Sequence, residues 1–157
     1  MDWGNKVYDC EWFDKTNFEE LKNVIQVYGF VFNDSKELCV INCKNEKFWC
    51  LPGGTVEKYD KTFEETLVRE VEEEADLDIK DIVRVGYVRV IPRINPKEVY
   101  YLLRYVAKVK KIRNQSIDPA YGIIPQRKFI NIKEFIKYTN WGENGLHQLK
   151  KAFGKLG

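Results

Sequence analysis

A chain of 157 residues, 44% hydrophobic and 32% charged, reads as one soluble globular domain that buries about two-thirds of its unfolded surface. A formal net charge of +2 is too small to imply nucleic-acid binding, and no run reaches the roughly 20 apolar residues that cross a bilayer. The N-terminal MDWGNKVYDCEW lacks the apolar core of a signal peptide, so a cytoplasmic address with no membrane partner is expected. After this N-terminal arm, Asn17 to Lys22 predicts a short helical turn. VIQVYGFVF (Val24 to Phe32) is dense in β-branched and aromatic residues and predicts a strand. NDSKE carries turn chemistry, which makes LCVINC (Leu38 to Cys43) its hairpin partner. KNEK then turns the chain into FWCLPGG.

From Thr62 to about Ala75 the period becomes helical, and Thr62 with Glu65 forms a capping box at its start. Strands resume at Ile82 to Ile91 and Glu98 to Val109, joined by PRINPK. The polar loop RNQSIDPAYG leads to a strand at Arg127 to Ile132, and helical stretches follow at Lys133 to Tyr138 and about Asn144 to Phe153. Strands on both sides of one long helix imply an α/β or α+β sandwich, a mixed sheet covered by helices. Cys10, Cys39, Cys43 and Cys50 make no C-x-x-C pair, and His147 is distant from all of them, so no zinc site is expected. Cys39, Cys43 and Cys50 lie in apolar runs and read as small hydrophobes.

The central helix carries Glu64, Glu65, Glu70, Glu72, Glu73 and Glu74 directly after a glycine turn. Residues three and four apart share a face, so Glu70, Glu73 and Glu74 project together, while Leu67, Val68, Val71 and Ala75 form the apolar stripe. Like-charged pairs at these spacings cost about 0.2–0.5 kcal/mol each. With an unperturbed pKa of about 4.3, all three glutamates are expected to be charged at neutral pH unless the site shifts them. Hard oxygen donors without histidine or thiolate suit Mg²⁺, with Mn²⁺ as a substitute. Charge alone also fits a solvated acidic face with Arg69 and Lys80 as counter-charges. The Gly53–Gly54 pair shifts that balance, because it lets backbone approach a ligand and offers peptide groups to a metal or a phosphate oxygen.

This stretch resembles the signature of the Nudix hydrolase family, G-x5-E-x7-R-E-U-x-E-E-x-G-U with U aliphatic. Arg69-Glu70-Val71-Glu72-Glu73-Glu74-Ala75-Asp76-Leu77 fits its second half at every position but one, and WCLPGGTVE (Trp49 to Glu57) is similar to the segment that introduces it. By average residue usage R-E-aliphatic-x-E-E arises in about one chain per thousand of this size. Element order extends the resemblance from about Val24 to the last helix. Counting from Gly54, the loop is one residue longer than the family spacing, so the first signature glutamate, which commonly supports the loop, falls on Asp60 or Lys61. The final glycine is Asp76, which can also adopt a left-handed conformation at a helix end. Where many relatives carry a late-loop glutamate, this chain has Ile123 and Gln126.

The resemblance implies a Nudix-like α/β/α sandwich with a mixed β-sheet and a central acidic helix, spanning residues 1–157 as one domain. It implies Mg²⁺-dependent hydrolysis of the diphosphate linkage in a nucleoside diphosphate joined to another group, such as a nucleoside triphosphate or a nucleotide sugar. Glu70, Glu73 and Glu74 would hold the metal with the carbonyl of Gly54, Arg69 would orient a carboxylate, and Glu73 or Glu70 would accept the water's proton. Gly53 and Glu57 lie close enough in sequence to join the site. The alternative is a Nudix-fold nucleotide-binding or regulatory module without turnover. For the nucleotide-type substrate, Tyr28, Tyr87, Arg89 and Arg93 are candidate contacts, against core packing for the tyrosines, Tyr100 and Tyr101 included, and a solvated edge for the arginines. KVKKIR (Lys108 to Arg113) is the one run directed at RNA, and it also fits a solvated strand end.

Overall fold

In the computed structural model, which describes residues 2–3 and 6–157, eight strands hydrogen-bond into one mixed sheet with helices on both faces. The edge is β1 (Asp2–Trp3) with β2 (Lys6–Phe13), where an arm without structure was expected. Alternation explains β2: Tyr8, Cys10 and Trp12 all turn to the apolar cluster around Val88, Val90 and Leu102. A 3₁₀ turn at Phe18–Glu20 leads to β3 (Val24–Phe32) and β4 (Leu38–Asn42). Then come β5 (Gly53–Thr55), α1 (Phe63–Ala75), β6 (Leu77–Pro92) and β7 (Tyr100–Ile112). The chain closes with β8 (Gln126–Ile130), a 3₁₀ turn, α2 (Phe135–Tyr138) and α3 (Gly142–Gly154). Strand order is β1-β2-β6-β7-β3-β4-β8, with β3 and β7 parallel and every other neighbouring pair antiparallel.

The expected hairpin of β3 and β4 forms only at its root. Phe32 pairs with Leu38, after which β4 leaves β3 and pairs with β8 from Leu38↔Ile130 to Asn42↔Gln126. Into the fork comes β5, which pairs with β3 at Gln26, Val27 and Tyr28. The sheet is thereby split open where the glycine turn enters.

Side-chain alternation divides the core into two layers. Val27, Val31, Ile41, Leu103 and Tyr105 face α1 through Leu67 and Val71. Phe30, Val40 and Val106 face the opposite side, packed on Phe135, Leu149 and Ala152. Burying each such side chain contributes about 1.5–3 kcal/mol, which is what holds the helices to the sheet. Thr62 caps α1, its Oγ1 accepting from the Glu65 N–H at 3.1 Å. The Glu65 carboxylate reaches back to the Lys61 N–H at 2.8 Å, one residue before the cap itself. At the other end Asp76 stands at φ 52° and ψ 46°, the left-handed conformation that stops the helix. Strand β6 begins at once, earlier than the apolar run at Ile82 predicted. Its first residues (77–81) pair through bulges with the tail of β7, with Leu77 buried in the core and Asp81 exposed. Among the described residues no helix is long and apolar enough to cross a membrane.

Candidate active site

The fork between β3 and β4 leaves a cleft of about 340 Å³, lined by β3, β4, β5, α1 and the loop after β7. Helical spacing places Glu70 and Glu74 on its wall. The Glu70 carboxylate lies directly over Gly54, where a Cβ would sit only 2.5 Å from its Cδ, so the close approach requires glycine. The backbone N–H of Gly53 donates to Glu74 Oε1 at 3.3 Å, and the Cys43 thiol donates to Glu74 Oε2 at 3.4 Å. Cys43 is thus part of the cleft wall, which corrects its reading as one more small hydrophobe. Val68, expected in the apolar stripe of α1, is 39% exposed, whereas Glu74 is only 8% exposed. The helix buries a carboxylate at the sheet and leaves a valine outside.

Arg69 organises the approach to this wall. Its Nη1 donates to Glu70 Oε1 at 2.9 Å, its Nη2 to Thr55 O at 3.0 Å, and Glu73 Oε2 lies 3.6 Å from Nη1. Its Nε and Nη2 grip Asp60 at 3.1 and 2.9 Å. Of the two loop positions left open by the sequence, Asp60 is therefore the supporting carboxylate. It also accepts from the Glu57 N–H and the Thr66 hydroxyl, each at 2.9 Å, while Lys61 turns only its backbone N–H inward. The Arg69 hydrogen bonds hold the Asp60 carboxyl down at about 2.

The wall carboxylates shift the other way. Burial, and next the charge of Glu70, push Glu74 up to about 8, and hydrogen bonds from Cys43 and Gly53 offset this only in part. Burial raises Glu70 too, against the pull of Arg69. Without a bound cation, the expectation of three charged glutamates at neutral pH therefore fails at Glu74. Burial, then Glu74, drives the Cys43 thiol well above its ordinary range, so it acts as a hydrogen-bond donor.

One residue of this cleft went unnoticed in the sequence. Asp118, 1% exposed, comes in from the loop after β7. Its Oδ1 accepts from the Ala120 N–H at 2.7 Å, whereas its Oδ2 is buried without a partner. Ligand atoms of Asp118, Glu74 and Cys43 all lie within 4.8 Å of one another. Ile123 and Gln126, where a late-loop acid was sought, are both exposed. The available signal was the turn chemistry of Asp118-Pro119, an aspartate bonded to the backbone two residues on. Asp76 holds this loop down: its carboxylate accepts from the N–H and the hydroxyl of Ser116, both at 2.7 Å.

Several expected contacts fall elsewhere. Glu57 sits exposed on the cleft rim, and Glu73, its side chain 34% exposed, borders the adjoining groove beside Arg69. Tyr28 lines both the cleft and a second cavity of about 560 Å³ behind it. Tyr87, Arg89 and Arg93, the other candidate substrate contacts, do not line the cleft. Tyr87 is 6% exposed and stacks on Phe13 at 5.2 Å, because its face of β6 points into the core under α1. Arg89 pairs with Glu11 and Arg93 with Asp9, each at 2.8 Å, across the β2 edge. In the basic run, Lys108 pairs with Asp81 and Arg113 with Asp78 and Glu72, as expected of a solvated strand end.

The cleft fits a hard divalent cation. A buried carboxylate oxygen has no partner, a second carboxyl is destabilised as an anion, and Gly54 brings bare backbone against Glu70 in the same cleft. A family model described as NUDIX domain matches residues 22–148. No curated protein matches the chain in sequence. The crystal structure of the Bacillus subtilis pyrophosphohydrolase BsRppH shares the fold with a TM-score of 0.70 at 18% identity, over 94% of this chain and 91% of that one. A MutT structure, from work on Aliivibrio salmonicida and Vibrio cholerae, gives 0.57 at 18% identity, covering 82% and 94%. The NUDIX domain of Shewanella oneidensis NrtR, complexed with ADP ribose, gives 0.62 at 14% identity, covering 89% and 94%.

Proposed function

The chain belongs to the NUDIX domain family as a Nudix hydrolase, and we propose that it cleaves the diphosphate linkage of a nucleotide with the help of Mg²⁺, or of Mn²⁺ in its place. The observation that carries this reading is the partnerless, buried Oδ2 of Asp118 beside Glu74. Glu70, Glu73 and Glu74 would hold the ion, with the Gly54 carbonyl and Asp118 completing an oxygen donor set. A bound divalent cation neutralises the diphosphate and makes a water more acidic. Arg69 fixes the Glu70 carboxylate through its Nη1 contact and is itself fixed by Asp60, so the wall keeps its geometry as substrate enters. With Asp118 Oδ2 given to the ion and Oδ1 to the Ala120 N–H, Glu70 or Glu73 takes the proton of the attacking water, as the resemblance implied. Glu57 on the rim and the Gly53 N–H complete the mouth through which the phosphates enter.

The substrate is a nucleoside diphosphate joined to another group. The NrtR domain was solved with ADP ribose, a molecule of that class. The test is a hydrolysis screen over nucleoside triphosphates, nucleotide sugars, dinucleoside polyphosphates and capped RNA, with products identified by ³¹P NMR. Turnover of at least one class with Mg²⁺, and none in chelator, is expected. Binding of nucleotides with no product from any class after long incubation in Mg²⁺ and Mn²⁺ would contradict it.

A further inference from the structure

Arg104 lies mid-strand in β7, on the face opposite α1, and is 5% exposed. A buried arginine is ordinarily paired with a carboxylate. This one has no ion pair among the described residues: its Nε donates to Gln148 Oε1 at 3.0 Å and its Nη1 to the Leu103 carbonyl at 3.2 Å. The guanidinium lies 4.9 Å from the ring centre of Trp141 and 5.2 Å from that of Tyr28. Nη2 makes no hydrogen bond, yet among the described residues the buried side-chain atoms without partners are only Arg89 Nε and Asp118 Oδ2. It therefore stays accessible from the cavity of about 560 Å³ that Arg104 lines. Burial lowers its pKa to about 10, which leaves it cationic at neutral pH. That cavity shares Tyr28, Gln26, Phe48 and Cys50 with the carboxylate cleft, so one ligand can occupy both.

We propose that this cavity receives the base of the nucleotide and that Arg104 selects guanine through its O6 and N7; the assignment rests on the hydrolase reading above. A guanidinium donates and never accepts. Of guanine and adenine, only guanine offers two adjacent acceptors, N7 and O6, to the two N–H groups of Nη2, whereas adenine sets its N6 amino donor beside N7. A donor facing a donor inside the cavity leaves both unpaired. Cytosine also carries adjacent acceptors, O2 and N3, but its single ring fills less of a cavity of this volume. The volume falls within the range of small-molecule pockets, which suits a purine. The phosphates would then extend through the shared boundary toward Glu70 and Asp118.

The experiment is calorimetry on the full chain with Mg²⁺, using the α,β-methylene diphosphates of guanosine, 7-deazaguanosine, adenosine and cytidine. The guanosine compound should bind about 10- to 100-fold more tightly than the adenosine and cytidine compounds, and replacing N7 by C–H should remove most of that advantage. Arg104→Met should abolish the preference while changing affinity for the adenosine compound less than about threefold. Equal affinity for all four, or an unimpaired 7-deaza compound, overturns the proposal. So does an equal loss for every nucleotide in Arg104→Met, which would place Arg104 on phosphate. If the variant does not fold, the 7-deaza comparison on the unmodified chain decides alone. Tight binding without base preference sinks only the guanine assignment. No binding of any nucleotide, together with no turnover in the hydrolysis screen, sinks the hydrolase reading as well.

Discussion

Glu74 occupies a position where α1 would ordinarily place an apolar side chain, and its environment makes it proton-hungry. Its pKa is about 8 in the fold against an ordinary value of 4.5. A raised carboxyl means that the folded state binds the proton more tightly than the unfolded chain does. The associated stability is fully present below about pH 4.5 and is lost as pH rises through about 8. Metal-free protein should therefore melt at progressively lower temperature from pH 5 to pH 8.5, losing on the order of a few kcal/mol. Glu74→Gln should flatten that slope, and Mg²⁺ should stabilise the unmodified chain most at the alkaline end. Thermal melts in chelator for both proteins measure this, and parallel slopes would show that Glu74 is not the titrating group. No sequence pattern announced this shift, because it comes from the sheet that α1 covers and not from the spacing of its glutamates.

At the scale of elements, the helix was the most legible part. Thr62, the 3.6-residue period and the stop at Asp76 all fall where the sequence put them. Strand β3 was equally legible from its β-branched density, whereas β2 and the first turn of β6 were not. Their apolar residues are diluted by charge, and each pairs with a neighbouring strand far along the chain. The element that links α1 to the rest of the site is Asp76. It ends the helix in the left-handed conformation and clamps Ser116, two residues before Asp118. Asp76→Gly keeps the helix end, since glycine favours that conformation, but releases the loop. We expect stability to change by no more than about 1 kcal/mol while kcat falls by about tenfold, from a mispositioned Asp118. Unchanged kcat with the same stability would show that the late loop is held by other contacts.

For the whole molecule, the candidate site depends on the fork in the sheet, which no local pattern encodes. The signature made Arg69, Glu70, Glu74 and the glycine pair legible as one group; Glu70, Glu74 and the glycines line one cleft, and Arg69 stands beside it, bonded to Glu70. Asp118 and Arg104 were illegible because their meaning comes from what they face. One is an aspartate among ordinary turn residues, the other an arginine inside an apolar strand, and only the packed sheet shows that neither has an oppositely charged partner among the described residues. The separation of cleft and cavity also explains why Tyr28 stays at the site while Tyr87 belongs to the core: they lie on opposite faces of the sheet. The central claim is that the α1 carboxylates act on a diphosphate through a divalent ion, and one paired measurement tests it most directly. Turnover and substrate affinity are followed on the same preparations of the unmodified chain and Glu73→Gln, with Mg²⁺ and with chelator. The predicted result is metal-dependent turnover in the unmodified chain. Glu73→Gln should still bind substrate but turn it over about 10²-fold more slowly or worse, because its charge matters most in the transition state. Turnover that survives chelation, or a Glu73→Gln protein that hydrolyses at the unmodified rate, would contradict it.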